Sequence, residues 1–180
     1  TFTPKGKYKW TDGTQTPKQV TWTINRATVS VPSQSGSLTY TGSTQSPTWA
    51  GYDSSKMTIG GTTSGTNAGS YNATFTPGSN YQWTDGGNAE KAVAWTIGKA
   101  TGSLSLNKSS ISLNVSKMSD TITVTRPGTG VISAVSSAPS VASVSVSGNV
   151  VTVTGKAKGN ATITVSVAAD TNYTAPADKT

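Results

Sequence analysis

An internal repeat constrains this chain most. Residues 1–27, TFTPKGKYKWTDGTQTPKQVTWTINRA, align without a gap on residues 74–100, TFTPGSNYQWTDGGNAEKAVAWTIGKA. The offset is 73 residues throughout, and more than half of the positions are identical. A fixed period of this size is the mark of stacked copies of one structural unit. Only the end of such a unit is present in the first copy. The expectation is a piece of a longer, repetitive protein: the C-terminal part of a first repeat (1–27), a second repeat (28–100) and a third unit (101–180).

Composition says what the units are made of. Serine and threonine supply about a third of the chain, and charged residues 12%, against about a quarter in ordinary globular domains. Charge-poor, Thr-, Ser- and Val-rich sequence suits a half-buried pleated surface. Five tryptophans and regular alternation argue against disorder, which is poor in such residues. There is no Cys and no His. That removes thiol nucleophiles, disulfides, Cys/His zinc sites and His-based acid–base chemistry together, so no enzyme activity, cofactor or metal is expected. A disulfide-free extracellular protein is usual for bacterial and phage surfaces and unlike a small secreted eukaryotic domain. No apolar run is long enough to cross a membrane, and membrane insertion is not expected.

The net charge of +7 is local. Lys5, Lys7, Lys9, Lys18 and Arg26 face only Asp12 in the first copy, whereas Lys56, Lys91 and Lys99 balance Asp53, Asp85 and Glu90 in 28–99. A nucleic-acid partner needs a coherent basic face, and the two copies share none.

Short alternating runs separated by turn signals fill the rest. Tyr71, Ala73 and Phe75 alternate with Asn72, Thr74 and Thr76, and Val93, Trp95 and Ile97 follow the turn at Asp85–Gly86. Further on, Ile111, Leu113 and Val115 alternate, then Ile122 and Val124. Val144 and Val146, then Val151 and Val153, flank Ser147–Gly148–Asn149, and Ile163, Val165 and Val167 close the series. This is the pattern of half-buried strands. From 101 onward it predicts about seven short strands, the pattern of an immunoglobulin-like sandwich. The connectors Trp22 to Val29 and Trp95 to Gly102 contain no long flexible linker, so restricted inter-unit angles are expected.

These residues resemble two families. Tyr40–Thr41–Gly42, Gln45–Ser46–Pro47, Gly69–Ser70–Tyr71, Asn80–Tyr81, Trp95–Thr96–Ile97 and Lys99–Ala100 are similar to the MBG-type repeat of bacterial surface proteins. Residues 101–180 resemble the group 2 bacterial immunoglobulin-like domain. Ser136–Ser137, Pro139–Ser140–Val141–Ala142, Val144, Gly148, Val151–Thr152, Gly159 and Ala161–Thr162–Ile163–Thr164–Val165 carry that likeness. The resemblance implies an all-β fold of tandem immunoglobulin-like β-sandwiches, in an extracellular protein of a bacterial cell surface or a phage tail or capsid. It implies adhesion or a structural role, and no catalysis. Members of the second family finish with a further strand, so the third unit is expected to lack its last strand. The partners implied are other domains of the same longer protein, and in the adhesin alternative surface glycans or mucin.

Some constellations have a chemical reading beside a structural one. Lys5, Lys7 and Lys9 alternate with Tyr8 and Trp10, as an anionic-ligand strip would. The second copy keeps Tyr81 and Trp83 but replaces the lysines with Gly78, Asn80 and Gln82, which favours an inward aromatic face. Trp22 and Trp95 sit at core positions of their strands. Trp49 and Tyr52 lie in a loop-like stretch, where exposed rings would stack on a sugar; packing at the rim of the core is the plainer expectation. Asp85, Asn88 and Glu90 offer calcium-type oxygen ligands, but the first copy replaces the last two with Gln15 and Pro17, which favours a turn. Finally, the apolar face of residues 1–27 is too small to bury itself. Upstream residues, a neighbouring chain or the second unit are expected to cover it.

Overall fold

The computed structural model describes residues 1–180. The chain is all-β, with fourteen strands and no helix. In chain order these are β1 (Ala27–Val29), β2 (Ser33–Ser35), β3 (Leu38–Thr39), β4 (Thr48–Ala50), β5 (Met57–Gly61), β6 (Gly69–Pro77), β7 (Tyr81–Trp83) and β8 (Lys91–Gly98). The remainder are β9 (Ser105–Leu106), β10 (Ser119–Thr125), β11 (Ile132–Ser136), β12 (Ala142–Ser147), β13 (Val150–Gly155) and β14 (Ile163–Val167).

Between residues 27 and 98, β3-β8-β6-β5 form a four-stranded sheet, β2 pairs with β4, and β1 runs parallel to β7. The central pair is antiparallel, with Tyr71 opposite Trp95 and Phe75 opposite Lys91. Alternation along these strands sends Ala73, Phe75, Trp95 and Ile97 inward. They pack with Val29, Met57 and Trp83 into one hydrophobic cluster. Each buried indole N–H finds a carbonyl, as a buried donor must. Trp95 donates to Thr62 at 2.7 Å and Trp83 to Ala89 at 2.8 Å. The Tyr71 ring lies flat on Trp95, centroids 4.6 Å apart.

Residues 105–167 form a second set of sheets, β12-β13-β10-β9 and the pair β11-β14. Leu104, Ile122, Val124, Val151, Val153, Val165 and Val167 belong to a second cluster, which shares no residue with the first. Six strands appear here where the alternation suggested about seven. The alternation marks Ile111–Val115, which forms no strand, and does not mark β11. Ile111 and Leu113 lean on the core, but Val115 is 93% exposed. Asn114 causes this, because its side-chain oxygen accepts hydrogen bonds from the Ser116 and Lys117 amides. A local turn of this kind competes with the ladder.

Residues 1–26 contain no strand beyond an isolated Phe2–Lys18 bridge. Of the three expected covers for their apolar face, the second region is not the one. Trp22 is 77% exposed, whereas its counterpart Trp95 is 1% exposed. Trp10 is half-buried.

Candidate functional site

Trp49 lies in β4 rather than in a loop, opposite Gln34 of β2. Its ring meets Phe75 edge-on at 4.9 Å, and the Tyr52 ring leans on the same Phe75 at 5.7 Å. Phe75 is fully buried and both outer rings are half-buried. The two candidate contact residues are therefore brought together as rim packing of the first core, with part of each ring left in solvent. Beside them, the Asp53 carboxylate accepts hydrogen bonds from the Ser55 hydroxyl and amide and pairs with Lys56 at 2.9 Å. The Ser55 hydroxyl and the Lys56 ammonium hold its pKa at about 2.

Asp85, Asn88 and Glu90 do not converge. Asp85 accepts from the Gly87 amide at 2.9 Å and pairs with Lys91, and Glu90 is exposed. The Lys91 partner, followed by the Gly87 amide, holds the Asp85 carboxyl below its usual range. No group of three or more acidic residues gathers anywhere in the chain. The remaining well-held acid on a strand is Asp120, bridged by Lys108 at 2.7 Å and Lys117 at 2.9 Å, which keep its carboxyl well below the ordinary range.

An open groove of about 550 Å³ runs along the second set of sheets between Leu106, Ile111, Leu113 and Ile163, with Lys158 and Asn160 among its polar members. The main chain of Lys179 pairs with Val165 of β14 beside it, through bonds of 2.7 and 2.9 Å. Nothing in the groove pairs a nucleophile with a base.

The most connected polar cluster is one that sequence reasoning passed over. It lies where the chain passes between the two cores. The Ala100 amide donates to the Asn172 carbonyl at 2.8 Å, and the Thr174 amide donates back to Ala100 at 2.9 Å. Asn172 then reaches across. Its Oδ1 accepts from the Ala68 amide at 2.8 Å, and its Nδ2 donates to Asn67 Oδ1 at 3.1 Å. Tyr173 meets Tyr40 edge-on at 5.4 Å, and Lys99 Nζ donates to the Asp170 carbonyl at 2.6 Å. The Asp170 carboxylate shapes this loop by accepting from the amides of Thr129, Asn172 and Tyr173. The Thr129 amide foremost lowers its pKa. The signal was present, since an Asp two residues before an Asn–Tyr pair is an Asx-type turn. Nothing in the sequence said that the turn would meet residues a hundred positions earlier.

No protein-family model matches this chain, and no curated protein or solved structure matches it.

Proposed function

We propose that this chain is a non-enzymatic spacer built of tandem immunoglobulin-like β-sandwich units, exposed on a bacterial cell surface or a virion. Its task would be to hold other domains of the same protein away from that surface. The observation that carries this reading is the repeat itself, joined to the next unit by a hydrogen-bonded connector. Repeated units in a row make length. A connector whose backbone is tied to the next unit, as Ala100 is tied to Asn172 and Thr174, keeps that length from collapsing. The lysine- or amide-bound aspartates Asp12, Asp53, Asp85, Asp120 and Asp170 support the same reading, since none is arranged for proton transfer.

A second reading, an adhesin module with weak affinity for glycan or mucin, is favoured by one feature: the shared perch of Trp49 and Tyr52 on Phe75. A partly exposed aromatic pair suits the apolar face of a sugar, and many weak sites act together through effective concentration. Multivalent display of the chain on a glycan array and on mucin separates the two readings. A spacer gives no binding that depends on Trp49 or Tyr52. Binding that Trp49→Ala abolishes, with an unchanged circular dichroism spectrum, would replace the spacer by the adhesin.

A further inference from the structure

The connector is captured in the same way at two places. After the first copy, the Ala27 amide donates to the Asn80 carbonyl at 3.0 Å, and Ala27 runs parallel to Tyr81. After the second copy, the Ala100 amide donates to the Asn172 carbonyl and Ala100 runs parallel to Tyr173. Ala27 and Ala100 are equivalent positions of the repeat, and each is met by an Asn–Tyr dipeptide. The basic residue just before each also acts alike. Arg26 Nε donates to the Ser79 carbonyl at 3.0 Å, as Lys99 donates to that of Asp170.

The two junctions differ on their other side. Asn172 is bonded to Asn67 and Ala68 of the region before it. Asn80 is exposed and has no such partners. Beside it lies a cleft of about 210 Å³ lined by Ile24, Asn25, Arg26, Ala27, Asn80 and Tyr81. Just upstream, Val20, Trp22 and Ile24 are exposed and their segment forms no strand. In the second copy the matching residues Val93, Trp95 and Ile97 pair with Ala73, Tyr71 and Gly69.

We propose that Asn80, this cleft and the strand-like stretch 20–24 together form one docking face, and that its occupant is a polypeptide with the sequence pattern of residues 28–73. Its last five residues would pair with 20–24 as Gly69–Ala73 pair with Val93–Ile97. Its Asn–Ala turn would sit on Asn80 as Asn67–Ala68 sit on Asn172. Three separate features thus ask for the same partner: an exposed, unpaired alternating segment, an unbonded carboxamide and a cleft between them. Continuity with the junction at Asn172 supplies the geometry. The proposal rests on the repeat-array reading and adds to it a specific joint that locks each unit to the one before.

The test joins residues 28–73 ahead of Thr1 in the full chain, recreating the Ala73–Thr74 junction as Ala73–Thr1. Hydrogen exchange reads residues 20–24, and paired spin labels read the distance distribution across each junction. In the extended chain, the amides of 20–24 gain protection of about 100-fold or more, as core strand amides do. Asn80→Ala broadens the distances across Ala27 in the extended chain. In the original chain, Asn172→Ala broadens those across Ala100. If 20–24 gains protection but Asn80→Ala changes nothing, the docking role of Asn80 is wrong while the array reading stands. If 20–24 stays unprotected, the array reading itself fails. An Asn172→Ala variant with undiminished order across Ala100 also overturns the Asn lock, whether or not the extended chain folds.

Discussion

Trp10 and Trp83 sit in the same turn, yet Trp22 and Trp95 do not sit in the same strand. In both copies the indole N–H closes the turn onto the carbonyl six residues on, Thr16 at 2.9 Å and Ala89 at 2.8 Å. In both, the aspartate accepts from the amide two residues later, and a lysine pairs with that aspartate while lying over the tryptophan ring, at 5.4 and 5.7 Å. Even the Phe75–Lys91 pairing survives as the bridge between Phe2 and Lys18. What the first copy lacks is everything contributed by residues 28–73 of the second. Trp95 has the Tyr71 ring against it and the Thr62 carbonyl for its N–H; Trp22 has neither and lies in solvent. The contrast separates two kinds of information. The turn is written in about a dozen residues and forms without a core, through side chain–backbone bonds. The strand is written in an alternating pattern that means nothing until another strand arrives.

The largest effect that would break this contrast comes from truncating the two tryptophans. Trp95→Ala should lower unfolding stability by about 3–5 kcal/mol, the usual cost of emptying a buried aromatic site. Trp22→Ala should change it by no more than about 0.5 kcal/mol, as exposed substitutions do. Urea denaturation of both variants measures the difference. Comparable losses would mean that residues 1–27 possess a core of their own.

A second comparison lies two residues past the aligned stretch. Val29 and Gly102 hold equivalent places after their connectors, with opposite requirements. Val29 is buried in the first core and continues the parallel pairing, opposite Trp83. Gly102 passes so close to the following region that a Cβ would lie 2.0 Å from the Thr174 carbonyl oxygen. Val29→Ala should cost about 1–3 kcal/mol through lost burial. Gly102→Val should cost a similar amount, about 1–3 kcal/mol, through overpacking. The second change should also loosen the Ala100–Asn172 junction, seen as faster exchange of the Ala100 and Thr174 amides. If Gly102→Val left those amides protected, the close approach would not be what holds the junction.

Much of this was legible in the chain. The all-β class followed from alternation, and the burial of Trp83, Trp95 and Phe75 from the period of two around them. The Asp85 turn was readable because the first copy kept Asp12 and dropped the other oxygens. Trp49 looks loop-like in sequence and is not: Pro47 and Gly51 signal turns on either side, but three residues between them suffice for an edge pairing with β2. Val115 failed for the opposite reason, a strand pattern interrupted by one asparagine. The cluster at Asn172 was illegible because its side-chain bonds to Asn67 and Ala68 span more than a hundred residues, and sequence periodicity carries no information about which turn meets which.

The smallest effect is electrostatic and tests whether the turn really is the part shared by both copies. Lys18 first, then the Thr14 amide, lowers the Asp12 pKa; Lys91 first, then the Gly87 amide, lowers that of Asp85. A carboxyl with a lowered folded-state pKa contributes stability above its unfolded value, about 3.9. That contribution is lost as pH falls through the folded value. Acidification below about pH 4 should therefore loosen both turns, and salt should weaken the effect because both pairs are exposed. The indole N–H resonances of Trp10 and Trp83, followed by NMR, report it directly. Both should shift on acidification, and Asp12→Asn should remove the response of Trp10 alone. The Trp83 N–H should remain protected to lower pH, because its ring is also held by the core. A Trp10 signal that does not respond to pH while that of Trp83 does would show that the turn depends on the core after all, and the separation between local and borrowed structure would fall with it.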